Sequence, residues 1–101
     1  MEIGTTTKDR SLTVTLHGEL DHHAAHGTMR EIELALDAAL PLQLVLDFTG
    51  VTFMDSSGIA VVLRAQRRMQ ALGGRLEVRG VQAQAKKVFE AAGIHHLIPI
   101  R

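Results

Sequence analysis

The sequence predicts an α/β fold, a single small domain in which a mixed sheet of four to five strands is flanked by helices. Three observations carry that expectation. Apolar and polar residues alternate in Leu12–His17 and in Leu76–Arg79, as in strands with one buried face. Apolar residues recur at helical spacing through Met29, Ile32, Leu36 and Leu40, and again through Ile59, Val62, Leu63, Met69 and Leu72. After an initial strand pair the two patterns take turns along the chain, the order expected of parallel strands joined through helices.

Each element has a local reason. Ile3–Thr7 can pair with Leu12–His17 through a turn at Lys8-Asp9-Arg10, and Gly18 is the expected end of the second strand. Asp21 can cap the first helix, which Pro41 stops. Leu42–Phe48 is nearly continuous in apolar residues until Asp47, the pattern of a central strand covered on both faces. A short polar turn and a second apolar contact then lead to a helix over Ser57–Leu72, with Arg64, Arg67 and Arg68 outward and Gly73-Gly74 as its stop. Leu76–Arg79 follows as a strand, and a third helix runs from Gln82 to Ala92 and ends at Gly93. Ile94, Leu97, Ile98 and Ile100 form a last apolar segment, a short edge strand broken by Pro99.

Composition narrows the function. With 101 residues, 46% of them hydrophobic, the chain has the size of one domain with one core. Aromatic residues make up only 3%, too few for a platform on which single-stranded nucleic acid would stack. Eleven basic residues balance eleven acidic ones, so no global field draws the chain to nucleic acid or to an anionic membrane. Cysteine is absent, which excludes disulfides and thiolate metal sites and suits a reducing compartment. Met1-Glu2-Ile3-Gly4-Thr5 lacks the basic start and apolar stretch of a signal peptide, and apolar runs such as Ile59–Leu63 are too short to span a bilayer. A cytoplasmic protein without nucleic-acid or membrane partners is expected.

The chemistry concentrates at Asp55-Ser56-Ser57-Gly58. A helix opening there presents amide groups without partners and the positive end of a dipole to two serine hydroxyls. A serine in that place can cap the helix, hold a phosphate or act as a nucleophile. No Gly-x-Ser-x-Gly elbow is present and no histidine pairs obviously with these serines, which disfavours the hydrolase reading. One cap needs only one short polar side chain, so three in succession leave at least one exposed. His22 and His26 lie one helical turn apart and could ligate one metal if a third ligand joined them; surface imidazoles at a capped helix start are the plainer reading. His95-His96 reads as an exposed pair. The arginines at 64, 67 and 68 read as a solvated helix face, and Gly73-Gly74 follows a helix instead of opening one, unlike a phosphate loop.

On these residues the chain resembles the STAS domain family, named for sulfate transporters and anti-sigma factor antagonists, and within it the sporulation-type antagonists. Val45–Leu63 resembles the family signature. Gly18-Glu19-Leu20-Asp21-His22-His23, Phe53-Met54-Asp55-Ser56-Ser57-Gly58, Gly73-Gly74 before a strand, and Phe89-Glu90-Ala91-Ala92-Gly93-Ile94 match in order, so residues 1–101 read as one STAS domain. The resemblance implies a non-enzymatic regulator without a cofactor or metal of its own. Its implied partner is an anti-sigma factor that is also a serine kinase. The unphosphorylated chain would bind that partner and release a sigma factor; phosphorylation of Ser57 would end binding, and a separate phosphatase would restore it. Asp21, Asp55, Ser56, Ser57, Gly58 and Ile59 are the implied contact residues, Asp21 facing a basic group of the partner. A transporter-regulating or small-ligand-binding STAS module is the alternative, with no phosphate at Ser57. Ala60 departs from the glycine common in sporulation-type members, and relatives often continue past the position of Arg101 into a further helix.

Overall fold

A computed structural model describes the whole chain, Met1–Arg101. Its elements run β1 (Glu2–Lys8), β2 (Ser11–Leu20), α1 (His22–Ala39), β3 (Gln43–Met54), α2 (Ser56–Ala71), β4 (Arg75–Arg79) and α3 (Ala83–Ala91), followed by a single 3-10 turn at Ile94–His96. The sheet order is β1-β2-β3-β4, with β1 antiparallel to β2 and the other pairs parallel. The β1–β2 hairpin closes over two residues, Asp9 and Arg10, both at positive φ, the backbone that a tight twisted hairpin demands.

Strands β2, β3 and β4 advance across the sheet in one direction, joined by helical crossovers. Crossovers of one hand on strands that advance one way place their helices on the same face. That face is the core: Leu12, Val14 and Leu16 of β2, Leu44, Leu46 and Phe48 of β3, and Leu76 and Val78 of β4 are buried against Ile32 and Leu36 of α1, Val62 and Met69 of α2, and Phe89 of α3. The Phe48 and Phe89 rings meet at 5.7 Å between centroids and anchor α3 on the sheet. The expectation of a β3 covered on both faces is therefore corrected. Val45 is buried yet stands outside the helix-side cluster, paired with Thr13 and Glu77 on the other face. There Glu77 is held by Gln43 at 3.2 Å and by Arg79 at 2.6 Å.

Other boundaries also move. Gly18 does not end β2; the strand runs on to Leu20 through register shifts at Thr15/His17 and Gly18/Glu19, with Gly18 at φ 118°. No turn interrupts the segment after Phe48, because β3 stays paired with β2 as far as Met54. Leu40 lies outside the core: it is the left-handed C-cap of α1, 56% exposed, immediately before Pro41. In α2, Val61 and Ala65 are buried where Leu63 and Leu72 were expected to be, and those two are half-buried. The last apolar segment makes one bridge, Ile100 with Val78, in place of an edge strand.

Candidate functional site

The parallel strands β2 and β3 end side by side at Leu20 and Met54, so α1 and α2 open next to each other. Asp21 caps α1, its Oδ1 accepting from the Ala24 amide at 3.0 Å. At α2 the cap is Asp55 and not a serine: its Oδ1 accepts from the Ser57 amide at 2.8 Å. Its other oxygen, Oδ2, accepts from the His22 amide at 3.2 Å, so one carboxylate spans both helix starts. Partial shielding from water pushes the Asp55 carboxyl up, but the Ser57 and His22 amides, with the Ser57 hydroxyl and the Gly58 amide, outweigh it. The net pKa lies below the ordinary 3.8, and Asp55 stays charged.

With the cap supplied by Asp55, neither serine hydroxyl is committed to the helix amides. Ser56 is exposed and Ser57 half-buried, whereas Gly58 and Ile59 are buried. A Cβ at Gly58 would run into the Met54 side chain and close on Leu20, so only glycine lets α2 start this near the sheet. From the other side, Gln84 of α3 grips Met54: its amide nitrogen donates to the Met54 carbonyl at 2.9 Å and its oxygen accepts from the Met54 amide at 2.8 Å. Gln82 likewise donates to the Thr49 carbonyl at 2.6 Å. These glutamines occupy the edge of β3 beyond Asp47, where β4 has ended. Sequence reasoning missed them, and no sequence signal marks them, since the need arises only because β3 outruns β4.

The two serines line different grooves. Ser57 faces one of about 260 Å³ between α1 and α2, with His26 and Arg64. Ser56 faces one of about 530 Å³ between α2 and α3, where Ile59, Gln84 and Lys87 also lie. Asp21, Asp55 and Ser56-Ser57 are thus gathered at one end of the sheet; Gly58 acts there by its lack of a side chain, and Ile59 reaches only the α2–α3 groove. No three side chains of His, Cys, Asp and Glu come together in a way that could hold a metal ion. His22 and His23 meet edge to face, and the exposed His95 and His96 rings lie 4.0 Å apart. The arginines are less free than a solvated face implies: Arg64 and Arg68 of α2 reach Glu33 of α1, and Arg68 also pairs with Asp37. No helix is long and apolar enough to cross a membrane.

Comparison with known proteins agrees with this architecture. The model of the STAS domain matches residues 2–101. An anti-sigma F factor antagonist of Lysinibacillus sphaericus is 32% identical over 84 residues, 83% of this chain and 72% of that protein. The solved structure of the anti-sigma factor antagonist SpoIIAA in its unphosphorylated form superposes with a TM-score of 0.74 at 27% identity, covering 99% of this chain and 87% of that one. SpoIIAA of Bacillus in its phosphorylated form gives the same TM-score and identity, covering 99% and 91% of the two chains.

Proposed function

The chain belongs to the STAS domain family, and from that premise we propose that it is an anti-sigma factor antagonist switched at Ser57. Unmodified, it binds an anti-sigma factor with serine kinase activity, and the sigma factor held by that partner is released. The observation that carries this reading is the division of labour at α2, where Asp55 caps the helix, so that the Ser57 hydroxyl is not spent on the helix amides and faces the Asp55 carboxylate instead. In the modifying step Ser57 Oγ attacks the terminal phosphorus of a nucleoside triphosphate on the kinase. The O–P bond forms, the bond to the bridging oxygen breaks, the diphosphate leaves and the hydroxyl proton passes to a base. Hydrolysis of the phosphoserine by a phosphatase, with water as the attacking group, restores the binding form.

The physics of the site supports a switch confined to the surface. Phosphorylation adds about −1.5 to −2 charge, which the dipole and free amides of a helix start tolerate. Structures of SpoIIAA in its unphosphorylated and phosphorylated forms each superpose on this chain with a TM-score of 0.74, which supports a switch that leaves the fold in place. A bulky dianion beside the charged Asp55 would repel or obstruct a partner packed over the turn. Asp21, whose neighbour His22 is tied to Asp55, supplies a second contact for a basic group of the partner.

Incubation with the cognate anti-sigma kinase and ATP, followed by mass spectrometry, is expected to place one phosphate on Ser57 and to abolish binding. No phosphate there, with the kinase active on another substrate, would favour the transporter-type or ligand-binding alternative. Asp21→Asn separates contact from capping, because asparagine caps as well as aspartate. Partner affinity is expected to fall at least tenfold with an unchanged Tm, corresponding to about 1.4 kcal/mol or more.

A further inference from the structure

The groove between α1 and α2 is apolar below, at Ala25, Met29 and Val61, and its polar lining besides Ser57 consists of His26 and Arg64. We infer that the phosphate of modified Ser57 is received in this groove by Arg64 and His26. The inference rests on the reading of Ser57 as the modified serine.

Arg64 is within reach and available. Seven residues along α2 correspond to about 10 Å of axis and two turns, so Ser57 and Arg64 share the groove face of the helix, and a guanidinium released from Glu33 can swing along the groove towards Ser57. Its present partner is a weak one. Arg64 lies 3.5 Å from Glu33 Oε2, an oxygen that Arg68 already holds at 2.9 Å, and the Arg64 side chain is 62% exposed. Giving up an exposed pair of that kind costs little. A phosphate offers the guanidinium a bidentate, doubly charged acceptor instead. His26 comes from the facing helix, is exposed, and has a ring N–H to donate in either charge state.

The surrounding charges fit the same direction. Asp55 and Asp21 are the acidic groups at the two helix starts, and a dianion next to them needs cations on its other side. Arg64 and His26 are the basic groups lining the groove on the Ser57 side, Arg68 further along α2 being held by Glu33 and Asp37, whereas Lys87 of α3 lines the groove on the Ser56 side. Modification at Ser57 thus does more than add charge to a serine. It draws Arg64 away from Glu33 and fills the groove between the two helices.

Encoding phosphoserine directly at position 57 takes the kinase out of the test. The phosphorus resonance of that protein is followed against pH in the parent and in Arg64→Gln, His26→Gln and Lys87→Gln variants. The second ionisation of phosphoserine, ordinarily near about 6, is expected below that in the parent. It should rise by roughly half a pH unit or more in R64Q, by less in H26Q, and not at all in K87Q. An unchanged titration in R64Q, or a rise in K87Q instead, overturns the inference. Failure of the kinase to modify Ser57 is read in a separate experiment and leaves this titration unaffected.

Discussion

Helices α1 and α2 start alike and are held differently. Each follows a parallel strand by one residue, and each has an aspartate of extended backbone as N-cap, Asp21 at φ −107° and Asp55 at φ −112°. Asp21 serves its own helix alone, whereas Asp55 also accepts from the first residue of α1. Three residues past each cap stand Ala24, half-buried, and Gly58, buried where no Cβ fits. Met54, just before Asp55, is gripped by Gln84 on both its amide and its carbonyl. The start of α1 is therefore capped locally, and the start of α2 is wedged into the sheet and tied to both neighbouring helices. The backbone that carries Ser56 and Ser57 is thus fixed from two sides, by α1 through Asp55 and by α3 through Gln84.

The contrast can be broken at several points. Gly58→Ala should have the largest effect on folding, about 1–3 kcal/mol in urea denaturation, because the added methyl must displace Met54 and Leu20. The matching change at the other start, Ala24→Gly, should cost no more than about 1 kcal/mol. Equal losses would mean that the wedge at α2 contributes nothing.

Next come the caps themselves. Asp21→Ala should lower stability by about 1 kcal/mol, the ordinary value of an N-cap. Asp55→Ala should shift the denaturation midpoint further than Asp21→Ala, since it frees amides of both Ser57 and His22. If the two variants unfold together, the bond from Asp55 to α1 is without consequence.

The smallest effect is in acid. The Asp55 carboxyl lies below its ordinary 3.8 in the folded chain, so its contribution is complete above that value and is lost as pH falls through the folded one. Asp55→Asn keeps a good cap without the charge, and its stability should approach that of the parent only as pH falls from 3.8 through the lower folded value. Some acid dependence should survive in this variant, because Asp47 is also held low, first by hydrogen bonds from the Thr49 hydroxyl and amide. A difference between parent and Asp55→Asn that is flat through the acid range would remove the electrostatic part of the argument.

Much of this architecture is legible in one sequence. The helical spacing of Met29, Ile32 and Leu36 found the buried face of α1, and the alternation in Leu12–His17 found that of β2, because burial on one side imposes the period of the element. Strand ends were less legible. The short polar stretch after Phe48, at Thr49-Gly50, looks turn-like, yet it continues β3, since pairing with β2 satisfies the backbone whatever the side chains do. The apolar run at Leu44–Leu46 concealed a one-sided sheet, because Val45 can be shielded by its strand neighbours Thr13 and Glu77 without a helix above it.

At the candidate site, residue types alone determined that a polar, serine-bearing helix start follows β3 and that Asp21 caps the helix before it. Those facts are local, set by a few consecutive side chains competing for nearby amides. Tertiary structure decided which aspartate oxygen serves which helix, that the cap at α2 is Asp55, and that Ser56 and Ser57 open on separate grooves. These depend on parallel strands ending in register and on helices packed along one face. Residues 30 or more positions apart become neighbours only then, and no periodicity within either segment records the meeting.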